Sequence, residues 1–403
     1  MVLLTQYEST ITRQPSTAQK TSKPDDYAER DRLNILRIAS DLYPDVMGGG
    51  AIHAHAMSNH QAARGHSVTV LTSDHPEDTN PGVEMADGYA VVRDREYVRP
   101  IGNSITPGVV TSIWNRLPEV DIIHAHSHLY FTSNIAAAIR KVSDTPLIIT
   151  NHGLISQTAP KWLQKLFIPT IARFTFNAAD RVLCYTDTDR QRLLERNITT
   201  PIEVVENGID CDRFTPGPLD RPRRLLFVGR LTDVKGIPVL LEVFNVLADQ
   251  YPDLELRIVG DGPQRSAYQE RCRELGIDDR VNFVGDVPYH EMADHYCQSR
   301  IFVLPSRNEG LPRTVLEAMA SGTPVVTTAL PQLESVVDGA GYTVQTGEVG
   351  EFAKTIRRLL DDESHCRELG ETGRNRVVSE NSWTETVEQT TDVYYDVLSE
   401  ASD

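Results

Sequence analysis

Lysine is scarce in this 403-residue chain, and acidic residues outnumber basic ones by 57 to 40. The resulting net charge of −17 leaves no broad cationic surface, so we exclude non-specific binding of nucleic acid. The acidic, lysine-poor composition is compatible with two interpretations. One is a high-salt cytoplasm, where salt screens self-repulsion, and the other is an ordinary acidic protein.

Paired cysteines and long apolar runs are also missing. The five cysteines form no C-x-x-C pair, which argues against a disulfide framework or a zinc cage. No run of about 18 apolar residues occurs, so we predict no membrane-spanning helix. The N-terminus lacks a signal-peptide pattern, and we predict a loose tail over residues 1–32 and a cytoplasmic protein, with contact at the inner face of the membrane left open.

Apolar strands alternate with helical patterns in two successive halves, which predicts an α/β fold with two Rossmann-like, doubly wound domains facing across a cleft. The predicted strands are 35–39, 68–71, 122–123, 147–150, 181–184 and 204–205, then 224–228, 255–259, 282–284, 301–304 and 324–327. A segment rich in proline, glycine and charge is the predicted linker. The predicted divisions are the first domain 33–208, the linker 209–223, the second domain 224–382 and a C-terminal helix within 383–403.

The segment from Ser306 to Val326 predicts a strand end, a loop and a helix. Pro312 suits a first helical position and Gly322 a helix end. The amides of Gly310 and Leu311 would then lie at a helix N-terminus, which attracts anions. This geometry suits a phosphate.

Two acids flank that helix start, Glu309 just before it and Glu317 more than one turn inside it. Carboxylates are poor phosphate ligands but good acceptors for hydroxyl groups, so the pair suits a sugar and a ribose joined by a diphosphate. Taken alone, an N-terminal acid favoured by the helix dipole and a solvated second acid explain the pattern better. The neighbouring motifs decide between the two.

Two cations follow the first strand of the second half, Arg230 and Lys235. Facing the cleft, they would neutralise a departing diphosphate. A surface charge pair beside Asp233 is the alternative. Earlier in the chain, a glycine run over 48–50 lets backbone approach a ligand closely, although alone it equally predicts a flexible turn.

Three histidines alternate along a predicted strand, and if it is extended they share one face: His124, His126 and His128. No acid or cysteine stands at ligand spacing, so we predict no metal site. An imidazole at the strand end could instead contact the sugar or the acceptor, and His152 presents the same alternatives.

Together these motifs resemble the GT4 family of retaining GT-B glycosyltransferases, from about residue 34 to about 385. The most specific element is Glu309-x7-Glu317, supported by Gly48-Gly49, Arg64-Gly65-His66, His124-Ala125-His126, Thr150-Asn151-His152-Gly153, Asn207-Gly208-Ile209-Asp210, Val228-Gly229-Arg230, Lys235-Gly236 and Gly260-Asp261-Gly262-Pro263. The sequence departs from the family pattern at Glu206, where proline is usual, and at Gln61, where an apolar residue is usual. Three histidines crowd the same helix as Gln61: His53, His55 and His60.

The resemblance implies that Arg230 and Lys235 hold the diphosphate and that Glu309 contacts the donor sugar. It implies that Glu317 binds the ribose and that His126 lies near the transferred sugar. The other donor-binding positions that it implies are Gly48, Gly49, Gly229, Gly310, Leu311 and Pro312.

The resemblance also implies a final helix that crosses back to the first domain, and a retaining transfer without a cofactor or an essential metal. The implied donor is a nucleotide-sugar, and the acceptor is a glycan or a lipid-linked molecule in polysaccharide or glycolipid biosynthesis. Two alternatives stay open: a nucleotide-sugar-binding relative without catalysis and a nucleotide-sugar epimerase. The sequence does not indicate an oligomeric state.

The segment 161–176 mixes three cations with aromatic and aliphatic residues, including Trp162, Leu166, Phe167, Phe174 and Phe176. It predicts either a peripheral membrane contact or a first-domain helix with a wide apolar face. The pattern alone favours the helix packed in the core.

Overall fold

The computed structural model describes residues 32–74, 82–155, 159–218 and 220–402. It contains two sheets flanked by helices and dominated by parallel strands, which confirms the predicted α/β architecture of two doubly wound domains. The predicted tail lies outside the described residues except for Arg32.

The first sheet has eight described strands: β1 (Asn34–Ile38), β2 (Ser67–Ser73), β3 (Gly82–Ala86), β4 (Tyr89–Asp94), β5 (Ile122–His126), β6 (Leu147–Thr150), β7 (Arg181–Cys184) and β8 (Ile202–Val204). Their order is β3-β4-β2-β1-β5-β6-β7-β8, and β3 is antiparallel to β4. Our sequence analysis missed this hairpin. Four of the five residues of β3 are exposed, so it lacks the apolar run that marks a buried parallel strand.

The second sheet has six described strands: β9 (Arg224–Val228), β10 (Glu255–Val259), β11 (Val281–Gly285), β12 (Ile301–Leu304), β13 (Val325–Thr328) and β14 (Gly341–Val344). All run parallel, in the order β11-β10-β9-β12-β13-β14. Predicted strands 224–228, 255–259 and 301–304 match β9, β10 and β12 residue for residue. The analysis missed β14, whose first three residues are only half-buried.

Helices cover both faces of each sheet. They are α1 (Gly49–Ala63), α2 (Val109–Trp114), α3 (Phe131–Arg140), α4 (Lys161–Phe167), α5 (Arg173–Ala178), α6 (Asp187–Glu195), α7 (Ile237–Ala248), α8 (Arg265–Leu275), α9 (Met292–Cys297), α10 (Arg313–Ala320), α11 (Pro331–Val337), α12 (Val349–Asp361), α13 (Glu363–Glu380) and α14 (Trp383–Ser402). None of these described helices is both long and apolar enough to span a membrane.

The last helix, α14, packs on the first sheet. Val393, Tyr394 and Val397 share one buried cluster with residues of β1 and β2. The Tyr394 hydroxyl also lies 3.1 Å from a guanidinium nitrogen of Arg37 in β1. Helix α14 therefore packs on the first domain although it follows the second domain in sequence.

The parallel register brings the loops after β1, β5 and β6 to one edge of the first sheet, and the loops after β9 and β12 to one edge of the second. These two edges meet. A Cβ added to Gly310, after β12, would lie 3.1 Å from the carbonyl oxygen of His152, after β6. The cleft between them is the place where doubly wound domains bind ligands.

Candidate functional site

The charged side of the cleft is built on the loops after β9 and β12. Lys235, in a short 3-10 turn, places its Nζ 2.7 Å from Oε1 of Glu309. The lysine and glutamate side chains are 12% and 4% exposed. Gly236 allows this turn, because its φ of 69° is left-handed and an added Cβ would collide with the Pro305 carbonyl. Two residues that the sequence placed 74 positions apart are therefore one ion pair.

Arg230 stands apart from this pair. Its side chain is exposed and makes no ion pair within the part of the chain that the structure describes. Gly229, next to it, lies close to the lysine, since an added Cβ would be 3.6 Å from the Lys235 Cε. The loop therefore presents one paired and one exposed cation.

Helix α10, which follows the loop after β12, begins one residue later than predicted. Pro312 is the residue before α10, with an extended ψ of 121°, and Arg313 is the first helical residue. Gly322 follows the helix end with a left-handed φ of 62°. Among the described residues, the amides of Gly310 and Leu311 find no hydrogen-bond acceptor, so they are available to an anion.

Glu317 is not the solvated acid that one reading of the sequence allowed. It is 3% exposed, and its two oxygens accept hydrogen bonds from the hydroxyls of Tyr289 at 3.0 Å and Tyr296 at 2.9 Å. Burial, and then the charge of Glu317, raise the pKa of Tyr289. Our sequence analysis missed both tyrosines. In the sequence, only their spacing of seven residues could have indicated that the two tyrosines contact the same carboxylate.

Arg313 joins the two domains and was also missed. It donates to the Asn207 Oδ1 at 3.0 Å and to the Gly208 carbonyl at 2.8 Å, both at the end of the first domain. It also donates to the Tyr289 hydroxyl at 3.2 Å. A Cβ added to Gly49 would lie 3.5 Å from its Cδ. The arginine thus ties the acidic helix to the glycine run.

The glycine run differs slightly from the prediction. Gly48 precedes α1 with extended backbone, while Gly49 and Gly50 form its first turn. A Cβ on Gly50 would lie 3.8 Å from the ring of His152. The start of α1 therefore approaches both sides of the cleft, and an added Cβ at Gly49 or Gly50 would make only ordinary van der Waals contact.

Two of the three alternating histidines share a face, and the third does not. His124 and His126 stack with ring centroids 4.6 Å apart. The prediction was wrong for His128 because the strand ends at His126 and Ser127 takes a left-handed φ of 65°. His128 turns to pack on Phe176, 4.5 Å away.

His126 belongs to a chain of buried polar rings. Its Nδ1 lies 3.0 Å from Nε2 of His152, whose Nδ1 lies 2.8 Å from the Tyr185 hydroxyl. Burial lowers the pKa of His126 well below its usual value and that of His152 to about 4. The His126 Nε2 is buried without a partner in the described residues. This chain of rings is neutral near pH 7. The orientation of the Tyr185 hydroxyl decides whether the His126 Nε2 donates or accepts a hydrogen bond.

His53 extends this group of rings. Its Nδ1 lies 2.9 Å from the Asn207 Oδ1, and its ring lies 5.3 Å from that of His152. Burial, and next the neighbouring imidazole, lower its pKa well below the usual value. No group of His, Cys, Asp or Glu in the described ranges has the arrangement needed to hold a metal ion.

A second link between the domains runs to Glu309. Arg192 of α6 donates to the Gln332 Oε1 at 3.0 Å, and the Gln332 amide donates to the Glu309 carbonyl at 2.6 Å. Gln332 is 1% exposed. The backbone position of Glu309 therefore depends on a residue of the first domain.

Of the two departures from the family pattern, the structure explains Gln61 but not the glutamate at position 206. Gln61 is buried because its Oε1 accepts from Arg37 at 2.7 Å and its amide donates to Thr391 at 3.2 Å. Glu206 lies where the chain crosses between domains, and its carbonyl accepts from Thr386 at 3.0 Å. Burial, followed by two neighbouring acids, raises the pKa of Glu206 to about 7.

Comparisons with known proteins match this fold and this cleft. The Glycosyltransferase Family 4 model matches residues 47–213, and the Glycosyl transferases group 1 model matches residues 209–376. A D-inositol 3-phosphate glycosyltransferase of Corynebacterium aurimucosum is 30% identical over 309 residues, covering 70% of this chain and 73% of that relative. A glycogen synthase of Mycobacterium tuberculosis is 26% identical over 406 residues, covering 90% and 94%.

Among solved structures, a sucrose-phosphate synthase from Thermosynechococcus elongatus superposes with a TM-score of 0.79. The match covers 92% of this chain and 100% of that one at 24% sequence identity. At that identity the likeness establishes the shared fold alone.

Proposed function

The chain belongs to the GT4 family of GT-B glycosyltransferases, and from that premise we propose that it transfers a sugar from a nucleotide-diphosphate donor with retention of configuration. The proposed acceptor is a hydroxyl of a glycan or a lipid-linked molecule. The observation that carries this proposal is the Lys235–Glu309 ion pair beside the amides of Gly310 and Leu311, which have no acceptor among the described residues. In this arrangement the lysine and the two amides are suited to bind a diphosphate. The Glu309 carboxylate is suited to accept hydrogen bonds from sugar hydroxyls.

In the proposed reaction, the bond between the anomeric carbon and the phosphate oxygen breaks and negative charge develops on the departing diphosphate. Lys235, Arg230 and the two amides stabilise that charge. The departing oxygen accepts the proton of the incoming hydroxyl, whose oxygen bonds to the same face of the anomeric carbon. The sugar thus passes to the acceptor, and the acceptor's proton passes to the departing diphosphate, within one site.

The first-domain side supports this front-face route over a double displacement. A double displacement requires a carboxylate beneath the anomeric carbon. In the described part of the chain, the imidazoles of His53, His126 and His152 contact one another, Asn207 and Tyr185, and none of them bonds a carboxylate. The neutral His126 Nε2 suits a hydrogen bond to a sugar hydroxyl.

Glu317 is proposed to bind the ribose. Each carboxylate oxygen has a second lone pair, so ribose hydroxyls can add to the two tyrosine contacts. Tyr289 and Tyr296 would then fix the orientation of the carboxylate before the donor binds. Preorganised acceptors of this kind reduce the entropy cost of binding.

Thermal unfolding with UDP-, GDP-, ADP- and CDP-linked sugars tests the proposal. One nucleotide class should stabilise the protein, by about 2.7 kcal/mol at a concentration 100 times its Kd. Glu317→Gln, which keeps the side-chain volume, should lose that stabilisation. The anomeric configuration of the product, read by NMR, should match that of the donor. An inverted product, or no stabilisation by any of the four classes, would contradict the proposal.

A further inference from the structure

An unusual surface lies on the first domain, outside the cleft. Four large apolar side chains of the α4–α5 segment are solvent-exposed: Trp162 (68%), Leu166 (66%), Ile171 (47%) and Phe174 (47%). We call these four residues the apolar strip. The sequence pattern favoured a packed core helix, and that is true only of the opposite side, where Ala172 and Phe176 are buried.

The backbone keeps the strip on one face. Trp162 and Leu166 are four residues apart in α4, and Ile171 and Phe174 are three apart, so each pair spans one helical turn. Between them lies a π-helical turn, Ile168–Ala172, in which the Arg173 amide donates to the Ile168 carbonyl five residues earlier. A five-residue turn keeps Leu166 and Ile171 aligned where an α-helix would rotate them apart.

Pro169 accounts for the π-helical turn. It has no N–H to donate to the carbonyl four residues earlier, so the regular helical ladder is interrupted there. The Thr170 hydroxyl donates to the Leu166 carbonyl at 2.5 Å. The segment continues past the proline into α5, and the four apolar side chains on both sides of it are exposed.

The charge of this surface is opposite to that of the molecule. Residues 145–179 contain no Asp or Glu and form the longest acid-free stretch of a chain with net charge −17. Lys165 and Arg173 are exposed beside the strip and make no ion pair within the described ranges. Two of the seven lysines of the whole sequence, at positions 161 and 165, belong to this stretch.

The strip also starts near the cleft. The loop after β6 carries His152 into the site, and Leu154, two residues later, lines a small cavity together with Ile168, Ala172 and Arg173. Helix α5 in turn packs on α3. A surface bound to the strip would therefore lie beside the cleft opening on the first domain.

We propose that the apolar strip, with Lys165 and Arg173, is a docking surface for anionic lipid bilayers. Exposed Trp, Phe and Leu side chains insert at the boundary between headgroups and acyl chains, while adjacent cations attract anionic headgroups. A protein partner would also cover apolar residues, but an acid-free cationic rim on an acidic molecule complements a uniformly negative surface. The docked orientation would place the cleft within reach of a lipid-linked acceptor.

Vesicle flotation tests this with the full-length protein. Wild type should float with vesicles of equal parts phosphatidylglycerol and phosphatidylcholine, and much less with phosphatidylcholine alone. Trp162→Ser/Leu166→Ser/Phe174→Ser should reduce the bound fraction at least about 10-fold, because insertion depends on the buried apolar area. Lys165→Gln/Arg173→Gln should weaken binding about fivefold for each charge removed, and only with anionic vesicles.

The chain offers a matched control on the β3–β4 hairpin. Val83 and Met85 are apolar side chains at least as exposed as those of the strip, at 70% and 73%. Glu84, however, lies between them in sequence. Val83→Ser/Met85→Ser should float like wild type. Equal loss in this variant, unchanged flotation of the strip variant, or absence of wild-type flotation would each overturn the proposal. Binding is measured without catalysis, so failure here leaves the proposed transfer reaction standing.

Discussion

The two sides of the cleft use opposite chemistry. We call the first-domain side the histidine edge (His53, His124, His126, His152) and the second-domain side the charged edge (Lys235, Glu309, Arg313, Glu317). At the histidine edge, burial lowers every imidazole pKa, so the rings are neutral near pH 7. At the charged edge, Lys235 pairs with Glu309, and the guanidinium of Arg313 lies 3.7 Å from the carboxylate of Glu317.

This difference teaches how one cleft can hold a substrate with two unlike halves. A diphosphate requires fixed positive charge, which the charged edge keeps in a partly buried place by pairing it. Sugar and acceptor hydroxyls require neutral donors and acceptors, and imidazoles without charge provide both. A protonated histidine edge would attract the diphosphate away from its proposed position.

The largest expected effect is at the charged edge. Glu309→Ala should lower kcat about 1000-fold or more, because it removes the proposed sugar contact and leaves Lys235 without its 2.7 Å partner. Steady-state kinetics measures this with a donor of the nucleotide class that stabilises the protein in thermal unfolding. Circular dichroism should show an unchanged fold.

Glu255→Ala is the matched control for that variant. Glu255 also pairs with a cation of the second sheet, Arg224 at 2.7 Å, but it is 56% exposed and lies at the opposite end of the strands. Its removal should leave kcat unchanged. Full activity of Glu309→Ala would remove Glu309 from the site.

Lys235→Ala should reduce turnover by roughly 100-fold or more, because the departing diphosphate loses a preorganised cation. Lys354→Ala, at a lysine 75% exposed on α12, should have no effect. Comparison of kcat with the KM for the acceptor separates the possible roles. A change confined to the acceptor KM would contradict a leaving-group role.

The histidine edge should respond to pH. The folded-state pKa values of its imidazoles lie below the ordinary histidine value of about 6.5, so the unfolded chain binds more protons between about pH 6.5 and 4. The contribution of these neutral imidazoles to the free energy of unfolding is fully present above about pH 6.5. It is lost as the pH falls, by up to about 1.4 kcal/mol per pH unit for each imidazole. Denaturant unfolding across this range measures the slope.

His152→Asn should flatten that slope, whereas His290→Asn, at a largely exposed side chain, should not. Glu206 acts in the opposite direction. Its raised pKa of about 7 adds stability at low pH that is lost as the pH rises through 7. A slope that is the same in His152→Asn and wild type would show that the edge is not what titrates.

The smallest effect concerns the support behind the histidine edge. The Tyr394 hydroxyl lies 2.5 Å from the His124 Nδ1 and 3.1 Å from Arg37, both fully buried. Tyr394→Phe should lower the free energy of unfolding by about 1–3 kcal/mol, since two buried groups lose a partner. Chemical denaturation measures this. A kcat close to that of wild type is expected. A large loss of activity would instead show that Tyr394 takes part in the site.

Several features could be predicted from the sequence because they depend on local rules. Buried parallel strands are short apolar runs, so β6, β7, β9, β10 and β12 were predicted residue for residue. Glu309, Lys235 and the glycine run could be named as candidates because their motifs are local in sequence. The exposed strand β3 and the short β14 carry no such run and were missed, whereas β4 has the buried residues Tyr89, Val91 and Val92 and was missed all the same.

The partners of each side chain were decided only by the tertiary structure. Tyr289, Arg313 and Tyr185 have ordinary neighbours in sequence, and their roles arise from contacts across 24 to 106 positions. His128 left the shared face through one left-handed residue, Ser127, which no pattern indicated. Burial, charge pairing and the face of a helix that remains exposed depend on the whole packed chain, because each is a property of what lies around a residue.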